Sequence, residues 1–242
     1  MFNYKNQTCP VCGETFKEND DIVIVYKEDN SEKEMSVDKV KYLKDVKTRK
    51  QTLISTVDLN NETADINLNS YLMDISNAYV SENAIYLLNQ EYNYDGLSIK
   101  SLFGLKGVFG LFDEEKDSGY YTEIYKFDIN KNGNVSYKAK TKTKGKTINQ
   151  YSLDEKDNHL RIALYDYQGS RIEILDENLK QIGVSENVAK GENMYSSRFI
   201  GDKVYFVTYK TIDPLFVVDL GDEANPKVLG KLKIPGYSTY LH

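Results

Sequence analysis

The stretch Tyr151-Ser-Leu-Asp-Glu-Lys-Asp-Asn-His-Leu-Arg-Ile-Ala-Leu-Tyr-Asp-Tyr-Gln-Gly-Ser-Arg-Ile-Glu-Ile-Leu-Asp176 decides the fold. It opens on a Tyr-Ser pair, turns at Asp157-Asn158 and runs apolar through Leu160-Arg-Ile-Ala-Leu164. It closes on an apolar strand that ends in aspartate, Ile172-Glu-Ile-Leu-Asp176. Short apolar runs bounded by Asn, Asp and Gly read as β-strands joined by tight turns. The same order recurs along the chain. Strands ending in aspartate return at Ile124-Tyr-Lys-Phe-Asp128 and Leu215-Phe-Val-Val-Asp219, so the aspartates lie 48 and then 43 residues apart. Each is followed by a Tyr-Ser pair: Tyr151-Ser152, Tyr195-Ser196 and Tyr237-Ser238. Gly201-Asp202 before Val204-Tyr-Phe-Val207 repeats the turn and second apolar run.

Working outward, an earlier copy is degraded but visible. Lys41-Tyr-Leu-Lys-Asp45 leads to Thr52-Leu-Ile-Ser-Thr-Val57, then Tyr79-Val80, a turn at Glu82-Asn83, and Ile85-Tyr-Leu-Leu88. The turn residues Asn83 and Asn158 are 75 apart, too far for one period. Reading residues 91–120 as an insertion restores the spacing. A unit of about 40–50 residues holding four strands is the sequence form of a propeller blade. One such sheet cannot bury both faces alone, so blades stack on one another. The sequence therefore predicts an all-β fold, a partial β-propeller of four-stranded antiparallel blades. The units fall at 40–90, 121–168 and 169–211, with a fourth begun at 212 and still incomplete at residue 242.

Composition limits the functional classes. The chain has 242 residues, 40% hydrophobic and 28% charged, with a net charge of −6. An acidic balance argues against a nucleic-acid partner, because phosphate binding needs clustered Lys and Arg. The basic run Lys138–Lys146 is short and reads as a solvated blade turn. There are 20 Tyr and no Trp. Tyr and β-branched residues favour strands, which agrees with the repeat reading. No apolar run is long enough for a transmembrane helix. The first residues show no signal-peptide core, so the chain as written is expected in the cytoplasm. The two cysteines provide no disulfide framework.

Several long segments carry a family resemblance. They are Tyr121-Thr-Glu-Ile-Tyr-Lys-Phe127, Ile148-Asn-Gln-Tyr-Ser-Leu-Asp154 and Gly191-Glu-Asn-Met-Tyr-Ser-Ser-Arg-Phe-Ile-Gly-Asp202. Asp213-Pro-Leu-Phe-Val-Val-Asp-Leu220 and Asn225-Pro-Lys-Val-Leu-Gly-Lys-Leu-Lys-Ile-Pro-Gly236 complete the set. Over roughly residues 40–242 the chain resembles bacterial and archaeal secreted proteins with a C-terminal β-propeller domain. The resemblance implies the propeller fold and an exported or cell-surface setting, and it brings no catalytic residues. Cys9-Pro-Val-Cys-Gly-Glu-Thr-Phe-Lys-Glu-Asn-Asp-Asp-Ile-Val-Ile24 is similar to the opening of prokaryotic RING-like zinc domains. The expected organisation is a vestigial zinc-ribbon or RING-like segment at 1–26, a charged linker at 27–40, and the partial propeller at 41–242.

Three sets of residues are candidate sites. Cys9 and Cys12 have the spacing of a zinc knuckle, but structural zinc needs four ligands and the sequence supplies this pair alone nearby, a half-site. Asp128, Asn130, Asn132 and Asn134 place oxygens at alternate positions around Gly133, as a calcium loop does. Ala139 stands where the bidentate Glu belongs, and the competing reading is a Gly-containing hairpin turn. In the insertion, Leu102, Phe103, Leu105, Phe109 and Phe112 form an apolar stretch. It reads either as a loop packed over a blade or as a flap that meets a partner or a membrane surface. Asp128, Asp176 and Asp219 sit where strands give way to turns, where Asp bonds its own backbone. No Ser/His/Asp or Cys/His constellation can be assembled.

The leading expectation is a non-enzymatic binding or scaffold module for a protein or glycan partner. The alternatives are a carboxylate- or metal-dependent hydrolase whose site needs further blades, and a fragment without independent function. Converging carboxyls with raised pKa in one pocket would favour the hydrolase.

Overall fold

The computed structural model describes residues 25–28, 31–34, 40–43, 48, 50–58, 66–93, 119–209 and 214–233. Apart from one 3-10 turn, Gln150–Ser152, every regular element among them is a strand. These residues fall into two compact units. One takes those up to Ile75 together with Ile129–Val135, and the other takes Ser76–Asp128 and Ser136–His242.

In the first unit, β1 (Val25–Glu28) and β2 (Ser31–Glu34) form an antiparallel hairpin that crosses the boundary read between the segment 1–26 and the linker 27–40. A three-stranded mixed sheet follows. β4 (Gln51–Thr56) is antiparallel to the central β5 (Asn67–Leu72), and β3 (Val40–Tyr42) is parallel to it. Ser70 and Tyr71 of β5, and Met73 just after it, are fully buried. Lys41 Nζ lies 5.6 Å from the Tyr71 ring centre.

Among the described residues, the second unit holds three four-stranded blades, each wound in sequence order. The first has β6 (Asn77–Val80), β7 (Ala84–Asn93), β8 (Gly119–Ile129) and β9 (Val135–Lys144). Only its β8–β9 hairpin tip is grouped with the first unit. The second blade has β10 (Leu153–Lys156), β11 (His159–Asp166), β12 (Gly169–Leu175) and β13 (Gln181–Val184). The third has β14 (Asn193–Ile200), β15 (Lys203–Tyr209), β16 (Pro214–Asp219) and β17 (Lys227–Lys233). Asp157 and Asn158 close the β10–β11 hairpin at φ 53° and 65°. Positive φ at both central residues suits the twist of a tight hairpin, and Asp and Asn tolerate it.

Blade stacking follows from the two-residue period of a strand. Leu160, Ile162 and Leu164 of β11 pack with Tyr86, Leu88 and Ile124 of the first blade. Their neighbour Ala163 points the other way. With Ile172 and Ile174 it meets Val204, Phe206, Phe216 and Val218 of the third blade. The middle blade is thus apolar on both faces, and its central strands are almost continuously buried. Burying each large side chain contributes roughly 1.5–3 kcal/mol.

The all-β class and the four-stranded antiparallel blades are as the sequence predicts, but the phase of the repeat differs. The sheet β10–β13 takes its first two strands from the unit read as 121–168 and its last two from the unit read as 169–211. Periodicity fixes the spacing of landmarks, whereas hydrogen bonding decides which four strands share a sheet. The Tyr151-Ser152 pair lies in the 3-10 turn just before a blade begins. The insertion also moves. Asn93 and Gly119 are cross-strand partners in β7 and β8, so in chain order the connection 94–118 joins two neighbouring strands of the first blade and does not separate two blades.

Candidate functional site: a tyrosine-lined cleft

A cleft of about 600 Å³ opens between the first and second blades, at the end where β7 stops and β8 begins. Its wall starts with Tyr92 and Tyr120, directly opposed across β7 and β8. Their rings meet edge to face at 4.9 Å between centres. Such T-shaped contacts suit the aromatic quadrupole. The floor is stitched by the segment after β9. The Gly145 amide donates to the Tyr120 carbonyl at 2.6 Å, and Lys146 and Tyr165 exchange both backbone hydrogen bonds at 3.0 Å. Gly145 takes φ 92°, where a Cβ would also press on the Tyr165 carbonyl. Gln90 Nε2 donates to Thr147 Oγ1 at 2.7 Å from the first blade.

This stitching holds the Lys146 ammonium between two rings, 4.3 Å from the centre of Tyr120 and 5.1 Å from that of Tyr165. A cation between aromatic faces is attracted to both, and it locks the rings in place. The far wall is the β11–β12 turn, Tyr167-Gln168. Asp166 accepts from the Gln168 amide at 2.6 Å and pairs with Arg171 at 3.2 Å. Arg171 also holds Glu173 at 2.9 Å, and Thr143 of the first blade donates to that carboxylate at 2.7 Å. Glu192, on the rim, accepts from Thr208 at 2.6 Å. The cleft carboxylates are therefore engaged in holding turns.

Tyr167 is 75% exposed, with the Lys190 ammonium 5.9 Å from its ring centre. Its carbonyl accepts from the Gly191 amide at 3.0 Å, so the backbone is pinned while the ring projects. Beside it, the side-chain amides of Gln168 and Asn193 face the cleft without a hydrogen bond to any described residue.

The residues singled out from sequence lie elsewhere. Cys9 and Cys12, and Leu102, Phe103, Leu105, Phe109 and Phe112, are outside the described residues. The connection that carries the second set leaves and returns at Asn93 and Gly119, and Gly119 lines the cleft. Asp128 lies at the opposite end of β8 and pairs with Lys138 at 3.8 Å. Asn130 Oδ1 accepts from the amides of Asn132 and Asn134, both at 2.9 Å. Asn134 Oδ1 accepts from Asn67 at 2.9 Å. These oxygens close a hairpin tip. Among the described residues, no three His, Cys, Asp or Glu side chains cluster to hold a metal.

The strand-end aspartates act on their own turns. Asp176 Oδ1 accepts from the amides of Asn178 and Lys180 at 2.9 and 2.8 Å, and Asp219 Oδ1 from that of Gly221 at 3.0 Å. The Lys180 amide, then that of Asn178, holds the Asp176 carboxyl below the usual carboxylate range. The Lys156 ammonium does the same for Asp202, and the Asn225 side chain for Asp222. Sequence reading missed the cleft tyrosines. The one available signal was Tyr165-Asp-Tyr167-Gln-Gly, a turn flanked by aromatics.

A family model described as a beta propeller domain matches residues 3–242, and the chain belongs to that family. The match extends through the segment that carries Cys9 and Cys12. The chain is similar to an uncharacterized protein of Methanocaldococcus jannaschii, 43% identical over 138 residues, which covers 54% of this chain and 21% of the relative. It is also similar to an uncharacterized protein of Archaeoglobus fulgidus, 38% identical over 122 residues, covering 50% of this chain and 19% of the relative. The matched stretch thus spans about a fifth of either archaeal relative.

Proposed function

We propose that this β-propeller chain is a non-enzymatic binding module and that the tyrosine-lined cleft holds a glycan. The observation that carries this reading is Tyr167, a large ring left 75% exposed on the rim of a cleft walled by three further tyrosines. Sugar rings offer flat C–H faces that lie against aromatic rings, and hydroxyls that planar amides such as Gln168 and Asn193 can both donate to and accept from. A cleft of about 600 Å³ suits a few sugar rings. A protein partner needs a broader surface, about 800 Å² per side. The hydrolase alternative asks for converging carboxyls held above their ordinary range. The carboxyls that are perturbed, Asp176, Asp202 and Asp222, are all held below it. The exported or cell-surface setting implied by the family resemblance would bring the cleft to glycans.

The test is an oligosaccharide array probed with the full chain, followed by calorimetry on each hit. Tyr167→Ala is expected to weaken binding at least about tenfold without lowering the melting temperature. Gln168→Ala and Asn193→Ala are each expected to cost about 1 kcal/mol, one hydrogen bond apiece. A blank array, or full affinity in Tyr167→Ala, would overturn the reading.

A further inference from the structure

A second cleft, of about 570 Å³, opens where the leading strands of all three blades of the second unit approach one another: β6, the turn into β10, and β14. It shares no residue with the tyrosine cleft. At its centre is Arg198, whose guanidinium lies 5.5 Å from the ring centre of Tyr151.

The three arginines of this unit differ in what they hold. Arg161 grips Asp154 and the Gly201 carbonyl. Arg171 grips Asp166 and Glu173. Arg198 has no carboxylate, carbonyl or hydroxyl partner among the described residues, and its cation rests on a ring alone. The contact with Tyr151 holds the guanidinium at the ring while leaving its five N–H donors without a partner among the described residues. Asp154 also lines the cleft, but Arg161 already neutralises it from a buried position. Among the described residues, the cleft therefore carries one uncompensated positive charge on an acidic chain.

We infer that this cleft binds an extended peptide segment through a carboxylate on Arg198. A guanidinium fork matches a carboxylate bidentately, which a point charge does not. The Gln150 side-chain amide, also free of described partners, stands beside it to complete the polar end. Val80 and Phe199 give the cleft an apolar wall, and Val80 is 62% exposed. Each bounding strand pairs on one side only among the described residues. Strand edges offer peptide groups in a line, the arrangement an extended peptide matches. The carboxylate is either the peptide's C-terminus or an acidic side chain.

The experiment is selection from a randomised hexapeptide pool on the full chain, with Arg198→Gln as the counter-selection. Selected peptides are then synthesised as free acids, as C-terminal amides, and with acidic side chains changed to amides. The expected result is peptides that bind Arg198→Gln at least about tenfold more weakly, with Arg198→Lys between the two. Affinity should also fall on raising ionic strength from about 0.05 to about 0.5 M, since the contact is electrostatic. Loss in the C-terminal amide arm identifies the terminus as the ligand group, and loss in the other arm identifies a side chain. Tyr167→Ala is expected to bind these peptides normally, which separates this site from the glycan cleft. If no peptide distinguishes Arg198→Gln from the parent chain, or if both amide forms bind as well as the free acid, the inference fails. Superimposable circular dichroism of the parent and Arg198→Gln chains guards against misfolding.

Discussion

Gly183 shows how one residue joins two blades. It lies in β13, the last strand of the second blade, where a Cβ would overlap the Glu223 carbonyl in the β16–β17 turn of the third blade. The Glu223 carboxylate in turn accepts from His159 Nδ1 at 2.6 Å, across the same junction. Backbone meets backbone there, so the obstruction cannot swing aside as a flexible side chain would. Gly183→Ala is expected to destabilise the chain by about 1–3 kcal/mol, the range for overpacking. Chemical denaturation checks this, as a lower midpoint at unchanged slope. Nothing in the local sequence Gln181-Ile-Gly-Val184 announces the constraint, because the partner is forty residues away in the chain. The aspartates are the opposite case. A carboxylate at the end of a strand bonds amides two and four residues on, so the roles of Asp176 and Asp219 are local and legible. In the β8–β9 tip, Asn130 rather than Asp128 makes those bonds, in the pattern of Asp176. A residue-type pattern that resembles a calcium loop is thus also a pattern of turn closure, because both need short oxygen side chains near a Gly.

The blade is the element through which packing becomes cooperative. Ile162 and Ile174 belong to one sheet yet serve different interfaces, Ile162 the first blade and Ile174 the third. Ile162→Ala and Ile174→Ala are each expected to cost about 2–5 kcal/mol, as buried truncations do. Their local effects should separate. Hydrogen exchange should speed up in β7 and β8 for the first variant, and in β15 and β16 for the second. Equal acceleration of all three blades in both variants would show that the blades do not loosen individually. Strands and first hairpins were legible, since Glu82-Asn83, Asp157-Asn158 and Gly201-Asp202 each join the first two strands of a blade. The phase was not. The same landmarks permit several groupings of four, and only the ladder from β10 through β13 chooses one. The cleft followed from that choice. Tyr120 and Tyr165 come together because Lys146 bridges two sheets whose boundary the repeat alone did not reveal.

At the scale of the molecule, an abundance of tyrosine and an absence of tryptophan make the phenols reporters of folding. Desolvation raises Tyr71, Tyr79, Tyr86, Tyr125 and Tyr137 above the ordinary phenol value of about 10, with the Glu155 carboxylate adding to the effect at Tyr86 and Glu123 at Tyr125. The folded chain therefore favours the neutral phenol. Below pH 10 both states carry neutral phenols and this stability is fully present. As the pH rises past 10, the unfolded chain ionises first and stability falls. Spectrophotometric titration of the phenols is the measurement that checks this. The fully buried Tyr71, Tyr86 and Tyr125 should ionise only in a steep step that coincides with loss of circular dichroism. One smooth wave near pH 10 would contradict the burial.

The sequence by itself determined the all-β class, the blade as the repeating unit, its approximate period, the first hairpin turns and the interruption by an insertion. Each of these is written in local alternation, turn chemistry or spacing, which depend on neighbours along the chain. Tertiary structure alone decided where a blade begins, that residues 94–118 interrupt a blade rather than separate two, and which side chains line each cleft. It brought Tyr92, Tyr120, Tyr165 and Tyr167 to one rim, and it set Arg198 over Tyr151 with no anion among the described residues. Those outcomes depend on hydrogen bonding between strands and on packing between sheets. Both join residues far apart in sequence, so neither leaves a mark that a short window can read.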